Sequence, residues 1–406
     1  MQTSLFAFAT DLDDEGADVV LDNLGERAGV DAISLAVAYH AARDVFPHSP
    51  TRKVRFLEPG AVFFSPEPGL YGRLKPLESR LVRGGDPLGE LCEKAAARGM
   101  MVNAWTVFLH SDRLGFEHPD CAPRNAFGDP YLTDLCPANP DAREYARALT
   151  ADVSRYPVTA IRAEALQFSG LEHGYHHERF FDELGALATT LLGLCFCRHC
   201  VTAAGARGVD GERLAALVRD AVEPVLSGEV EPSGAEPTRE RVGALGDGAM
   251  NRYLEARTDT VTSLAGEVAA VARAGGAALM FMDMTGAEMG FATGAPVGPP
   301  APVEAWHGGV DPAAVAIAAG GLEAVGYAAD PVRLRQDLEA YRALLPDAGR
   351  LAVALRPMAP DCRSPENLAA KVALAFELGL GAIDFYHYGL SRLRALDWIS
   401  AALGRG

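Results

Sequence analysis

Short apolar runs of five to seven residues alternate with helix-length patterns along the whole chain, the rhythm of repeated β-α units built around a parallel sheet. The strands predicted from these runs are Leu5–Ala9, Ala32–Ala36, Val102–Phe108, Ala160–Leu166, Ala277–Met282, Ala324–Ala328, Leu351–Leu355 and Ala382–Tyr386. Eight strands with intervening helices predict a closed (β/α)8 TIM barrel, and a doubly wound open sheet satisfies the same pattern. Helix starts fall where the connections need them. Asp86-Pro87, Asn139-Pro140, Asp311-Pro312, Asp330-Pro331 and Ser364-Pro365 each place a capping side chain before a proline suited to the first helical turn.

Two connections are longer than the rest. The 169–276 segment follows strand four and holds a cysteine cluster, a helix near Glu212–Leu226, a polar Pro/Gly/Glu stretch to Gly248 and a helix from Met250 to Ala274. In that last helix Tyr253, Leu254, Arg257, Val261, Leu264, Val268 and Val271 keep helical spacing, giving one mainly apolar face for the barrel. The segment reads as an elaborated fourth loop within a single 1–406 barrel domain. The 285–310 connection, rich in Gly and Pro and carrying Trp306 and His307, reads as a lid over the barrel mouth.

Composition narrows the class. With 49% apolar residues the 406-residue chain buries a large core, and a formal net charge of −17 provides no basic field for nucleic acid or an anionic membrane. Seven cysteines, an odd number with three in one cluster, fit a reducing compartment. No basic leader precedes the first strand and no run reaches the length of a membrane span, so a cytoplasmic location is expected. A homo-oligomer is compatible with the sequence.

The strand ends carry the chemistry. Tyr39 and His40 follow strand two, Trp105 lies in strand three ahead of His110, and Arg162, Glu164 and Gln167 lie on or after strand four. Asp283 ends strand five, Tyr327 follows six, Arg356 follows seven, and Tyr386, His387 and Tyr388 close strand eight. Flat aromatic faces mixed with hydrogen-bonding groups suit a carbohydrate. Alternation puts Arg162 and Glu164 on one face of strand four, and Leu279, Phe281 and Asp283 on one face of strand five; Glu164 and Asp283 are then candidates for the two carboxylates of glycoside hydrolysis. Structural accounts stand beside each: an Arg-Glu pair for Arg162 and Glu164, a loop-start aspartate for Asp283, an N-cap for Asp330, a helix cap for Asp11 or Asp13. Glu172, His173, His176 and His177 form a polar cluster after strand four that lines the substrate, joins a metal or is simply solvated.

Cys195, Cys197 and Cys200 are spaced C-x-C-x-x-C, too close for mutual disulfides and natural for three thiolates on one ion with a fourth ligand from elsewhere. The alternative for the cluster is an empty or redox-active set of thiols.

Trp105-Thr106-Val107-Phe108-Leu109-His110, His118-Pro119, Gly128 and Leu135-Cys136-Pro137-Ala138-Asn139-Pro140 leading into Arg143-Glu144-Tyr145-Ala146 resemble the third β-α unit of family 42 β-galactosidases. The resemblance covers about Val102 to Cys200. It implies a structural zinc held by Cys136, Cys195, Cys197 and Cys200, with Cys121 as the alternative fourth ligand. It also implies that Glu164 is the acid/base glutamate. The chain departs from the family at strand seven, which ends Leu355-Arg356-Pro357-Met358 without the nucleophilic glutamate.

The expectation is a glycoside hydrolase with Glu164 as general acid/base and Asp283 as nucleophile or base. Trp105, His110, Arg162, Arg356, Tyr386, His387 and His40 are expected to bind substrate. Paired with Arg162, Arg356 suggests an anionic sugar. Two other classes fit the same residues: a barrel that binds carbohydrate without cleaving it, and a metal-dependent enzyme with His40, His110, Glu164, Asp283 and His387 as ligands, although no H-x-H or H-E-x-x-H spacing is present.

Overall fold

A computed structural model describes residues 1–172, 179 and 181–405. The central sheet is a closed parallel barrel of eight strands: β1 (Gln2–Phe8), β2 (Ala32–Tyr39), β3 (Met101–Val107), β4 (Ala160–Glu164), β5 (Ala278–Asp283), β6 (Leu322–Val325), β7 (Leu351–Leu355) and β8 (Ala382–Phe385). Neighbours in sequence are neighbours in the sheet, and β1 closes it by pairing with both β2 and β8. The TIM barrel is therefore the fold, and the open-sheet alternative falls. Small additions sit after β2: the hairpin Ala42–Val45 with Val54–Leu57, a short strand Ala61–Val62 antiparallel to the end of β2, and Leu77–Glu78 parallel to that strand.

Both faces of each strand are buried, for different reasons. Outward residues such as Leu5, Ile161, Leu279 and Phe281 pack under the helices in the main core, whereas Phe6, Phe8, Trp105, Met282, Val325 and Ala354 form a second cluster inside the barrel. All five capped Pro helices form with their capping side chains accepting backbone N–H bonds: Pro87–Ala97, Pro140–Val153, Pro312–Ala319, Pro331–Leu344 and Pro365–Glu377. Asp330 is among these caps. The long helix Ala249–Ala274 buries Tyr253, Leu254, Arg257, Val261, Leu264 and Val268, the face that its spacing predicts.

Below the aromatic layer the barrel interior is polar. Arg162 Nη2 lies 2.9 Å from Asp384 Oδ2 and Arg162 Nε 3.8 Å from Glu323 Oε2, all three side chains sealed from water. Ser4 donates to Asp384 and lies 2.8 Å from Ser34, which accepts from Asn103 at 3.2 Å. Burial and then Asp384 raise Glu323 far above the usual carboxylate range, so the acidic pair holds a proton and matches the single guanidinium. Arg162 is thus an internal brace, and the expectation that it meets substrate is corrected. Arg162→Met leaves Asp384 buried without its cation. A loss of about 3–5 kcal/mol in chemical denaturation is expected.

Candidate active site

A cavity of about 580 Å3 opens at the C-terminal ends of the strands, the end where barrel chemistry sits. Phe6, Tyr39, Trp105, Met282, Val325 and Ala354 line it from the strands, with His40, His110, Tyr327 and Tyr386 just beyond the strand ends. The 169–276 insertion supplies Thr189, Thr190, Gly193 and Leu194, and the 285–310 connection supplies Ala287, Glu288, Phe291, His307 and Gly308.

Glu164 is the last residue of β4 and points inward into this cavity. The Trp105 indole Nε1–H donates to its Oε2 at 2.6 Å. Burial raises the Glu164 pKa above the ordinary value, while the indole bond and His110 act the other way. Trp105 is itself fixed by rings on several sides: Phe6 at 4.9 Å, Tyr39 at 4.8 Å, Phe8 at 5.7 Å and Tyr386 at 5.8 Å between centroids. Ala165 follows with φ of 56°, a left-handed backbone unusual for alanine, which ends β4 two residues short of the end of the expected run Ala160–Leu166.

His110 Nδ1 lies 3.1 Å from Asp134 Oδ1, which also accepts from Ser169 Oγ at 2.7 Å. Burial works against charge on His110, but Asp134, Asp112 and Glu164 together raise the pKa. The His40 ring packs 4.7 Å from that of His110. Glu164, Trp105, His110, His40 and Tyr386 therefore come together as the strand ends suggest.

The other expected site residues lie elsewhere. Asp283 faces outward: its Oδ2 accepts from Tyr341 Oη at 2.8 Å and its Oδ1 from Thr285 Oγ1 at 2.6 Å, and it is fully buried against the Pro331–Leu344 helix. The inward residues of β5 are its methionines, so the parity of Leu279, Phe281 and Asp283 is the reverse of the expectation. Arg356 is spent on Asp361 through two bonds of 2.7 and 2.9 Å and lies 4.2 Å from the Tyr327 ring centre, which it supports from behind. His387 packs 4.1 Å from Phe8 and is wholly buried, outside the cavity lining. Asp11 accepts from Phe8 N–H and caps the first helix, and Asp13 is ion-paired with Arg55. His173, His176 and His177 lie outside the described residues; Glu172 lines the cavity.

Glu288 is the group that sequence reasoning missed. It sits on the short helix Thr285–Gly290 after β5, lines the cavity, and has its pKa pushed up to about 7 by burial, then by Asp283 and Asp134. Two glycines put it there. A Cβ on Gly286 would come within 2.0 Å of Val325 O, and one on Gly290 within 1.9 Å of Tyr327 O, so only glycine lets this helix lie on the backbone leaving β6. The sequence signal was the Gly-x-x-x-Gly frame around the first carboxylate after Asp283.

The cysteine knot lies behind the cavity wall. Cys136 Sγ is 3.8, 3.6 and 3.5 Å from the sulfurs of Cys195, Cys197 and Cys200, and all four are buried. Four sulfurs at tetrahedral positions about 2.3 Å from one ion would be separated by about 3.8 Å, so the set can hold a metal ion. Backbone N–H groups of Arg124 and Cys197 point at Cys195 Sγ at 3.3 and 3.5 Å. Cys121 instead neighbours Asp120 and Asp141, both paired with Arg73. Among the described residues, the groups close enough to share an ion are these two, and neither includes His40, His110, Glu164, Asp283 or His387.

No protein-family model matches the sequence, and no curated protein matches it. Solved structures do. The α-L-fucosidase isoenzyme 2 of Paenibacillus thiaminolyticus aligns with a TM-score of 0.54 at 13% identity, over all of this chain and 49% of its own. The β-galactosidase of the psychrophilic Marinomonas ef1 gives 0.54 at 10% identity, over 99% of this chain and 59% of its own. The PgaB glycoside hydrolase domain of Bordetella bronchiseptica gives 0.54 at 12% identity, over 100% of this chain and 97% of its own. The shared feature is the barrel. The chain spans about half of the fucosidase and under two thirds of the galactosidase. No described helix is long and apolar enough to cross a membrane.

Proposed function

We propose that the chain is a glycoside hydrolase in which Glu164 and Glu288 are the two working carboxylates. The observation that carries this reading is Glu164, set at the end of β4 in the cavity with an indole N–H on one oxygen. The likeness of fold to three glycoside-cleaving barrels agrees with it. Burial raises both carboxyls, Glu288 to about 7, while the Trp105 bond and His110 draw Glu164 back toward its charged form. Glycoside cleavage divides the work between two carboxyls, one giving a proton and one acting at the anomeric carbon. Glu288 gives its proton to the leaving oxygen; Glu164 acts on the anomeric carbon, directly or through a water. These roles replace the expected pair of Glu164 as acid and Asp283 as nucleophile.

Asp44, Glu164, Glu172 and Glu288 line the cavity, and no Lys or Arg does so among the described residues. An uncharged sugar fits that lining better than the anionic one suggested by Arg162 and Arg356, both of which are neutralised by their own aspartates. The cysteine set fits zinc, with Cys136, Cys195, Cys197 and Cys200 as ligands in a structural site. The 285–310 connection serves as a wall and lid, and the 169–276 insertion adjoins it, Arg257 donating to His307 O.

A pH profile tests the division of roles. Activity that depends on protonated Glu288 and ionised Glu164 falls as the pH rises through about 7, because Glu288 then loses the proton it must donate. In Glu288→Gln this alkaline limb should be absent from the residual rate on unactivated glycosides, whose leaving group needs the proton. An unchanged limb in that variant assigns the proton donor elsewhere.

A further inference from the structure

A second cavity, of about 350 Å3, lies between the loops that follow β7 and β8 and shares no lining residue with the first. Arg363 comes to it from the β7 loop, and Arg392 and Arg394 from the β8 loop. No Asp or Glu lines it, and none of the three guanidinium groups has an ion pair among the described residues. Asp397, the acid of the adjoining helix Arg394–Ala402, is taken by Arg27 at 2.7 Å. Three cations gathered without a counter-charge repel one another. In a chain of net charge −17 their convergence on one concavity is relieved by an anion.

We infer that this cavity binds an organic oxyanion, a phosphate or comparable anionic group carried on an apolar body. The geometry supplies both halves. Arg394 is exposed and lies 5.4 Å from the centre of the Trp398 ring, which positions its guanidinium beside the cavity. Arg392 precedes and Arg394 opens the Arg394–Ala402 helix, whose N-cap Leu393 offers no capping side chain, so the positive end of the helix adds to the same field. Loops after the seventh and eighth strands, together with a helix N-terminus, form a recurrent phosphate-binding position of barrels. Pro47, Met358 and Leu390 give the apolar wall on which the body of the ligand rests. The site is separate from Glu164 and does not depend on glycoside cleavage.

Calorimetric titration of the full chain at low salt with inorganic phosphate and with phenyl phosphate tests this. Saturable one-to-one binding is expected, tighter for phenyl phosphate, weakened about tenfold or more in Arg392→Gln/Arg394→Gln and unchanged in Glu164→Gln. If the double variant melts early, Arg363→Gln, on the other loop, should show the same direction of loss. Absence of saturable binding, or equal affinity in the arginine variants, overturns the site. Equal affinity for the two probes overturns the apolar half of the assignment.

Discussion

Glu164→Gln is expected to lower kcat on any glycoside the protein cleaves by about three orders of magnitude, with the melting temperature unchanged or slightly higher. The substitution keeps the shape, and the amide oxygen still accepts the Trp105 N–H, so the aromatic cluster beneath has no reason to move. What is lost is the negative charge. Removing a carboxylate whose pKa is raised by burial relieves a desolvation cost, which is why stability should not fall with activity. Steady-state rates beside a thermal melt check both halves. A variant that loses rate and stability together would mark Glu164 as structural.

If Cys136, Cys195, Cys197 and Cys200 hold the proposed zinc, Cys197→Ser or treatment with a chelator is expected to give the largest single loss of stability, about 4 kcal/mol or more. The knot ties Cys136, ahead of the Pro140–Val153 helix, to the Cys195–Cys200 turn. Phe196 of that turn stacks on Tyr253 at 4.8 Å, and Tyr253 Oη donates to Cys195 O. The brace therefore joins the third and fourth loops to the Ala249–Ala274 helix. Thr189, Thr190, Gly193 and Leu194 of the cavity wall immediately precede it. Metal analysis should give one zinc per chain, lost in Cys197→Ser and retained in Cys121→Ser. Retention in Cys197→Ser contradicts the four-cysteine site.

Much of the barrel was legible because its signals are local. Apolar runs, capping pairs such as Asp311-Pro312 and the helical stripe from Tyr253 to Val268 each depend on neighbours in sequence, and each formed. Asp283 shows where locality ends. In a parallel barrel both strand faces are buried, so Leu279 and Phe281 give no sign of whether they meet helices or the barrel interior, and the choice fixes which way Asp283 points. Arg162 and Glu164 were rightly placed on one inward face. Their two layers were not, since only the closed sheet sets Arg162 level with Asp384 and Glu323 and leaves Glu164 at the mouth. Glu288 depends on helix packing over β6 that a linear reading of Gly286 and Gly290 does not reveal.

The proposed reaction has one cavity cleaving glycosidic bonds, Glu164 acting at the anomeric carbon and Glu288 giving the proton. The most direct measurement is kcat/KM of wild type, Glu164→Gln and Glu288→Gln on nitrophenyl glycosides and on the matching unactivated glycosides. Glu288→Gln should lose little on the nitrophenyl substrates and about a hundredfold or more on the unactivated ones, while Glu164→Gln loses both. Full turnover in Glu164→Gln, or wild type that binds sugars and cleaves none of them, would contradict the account.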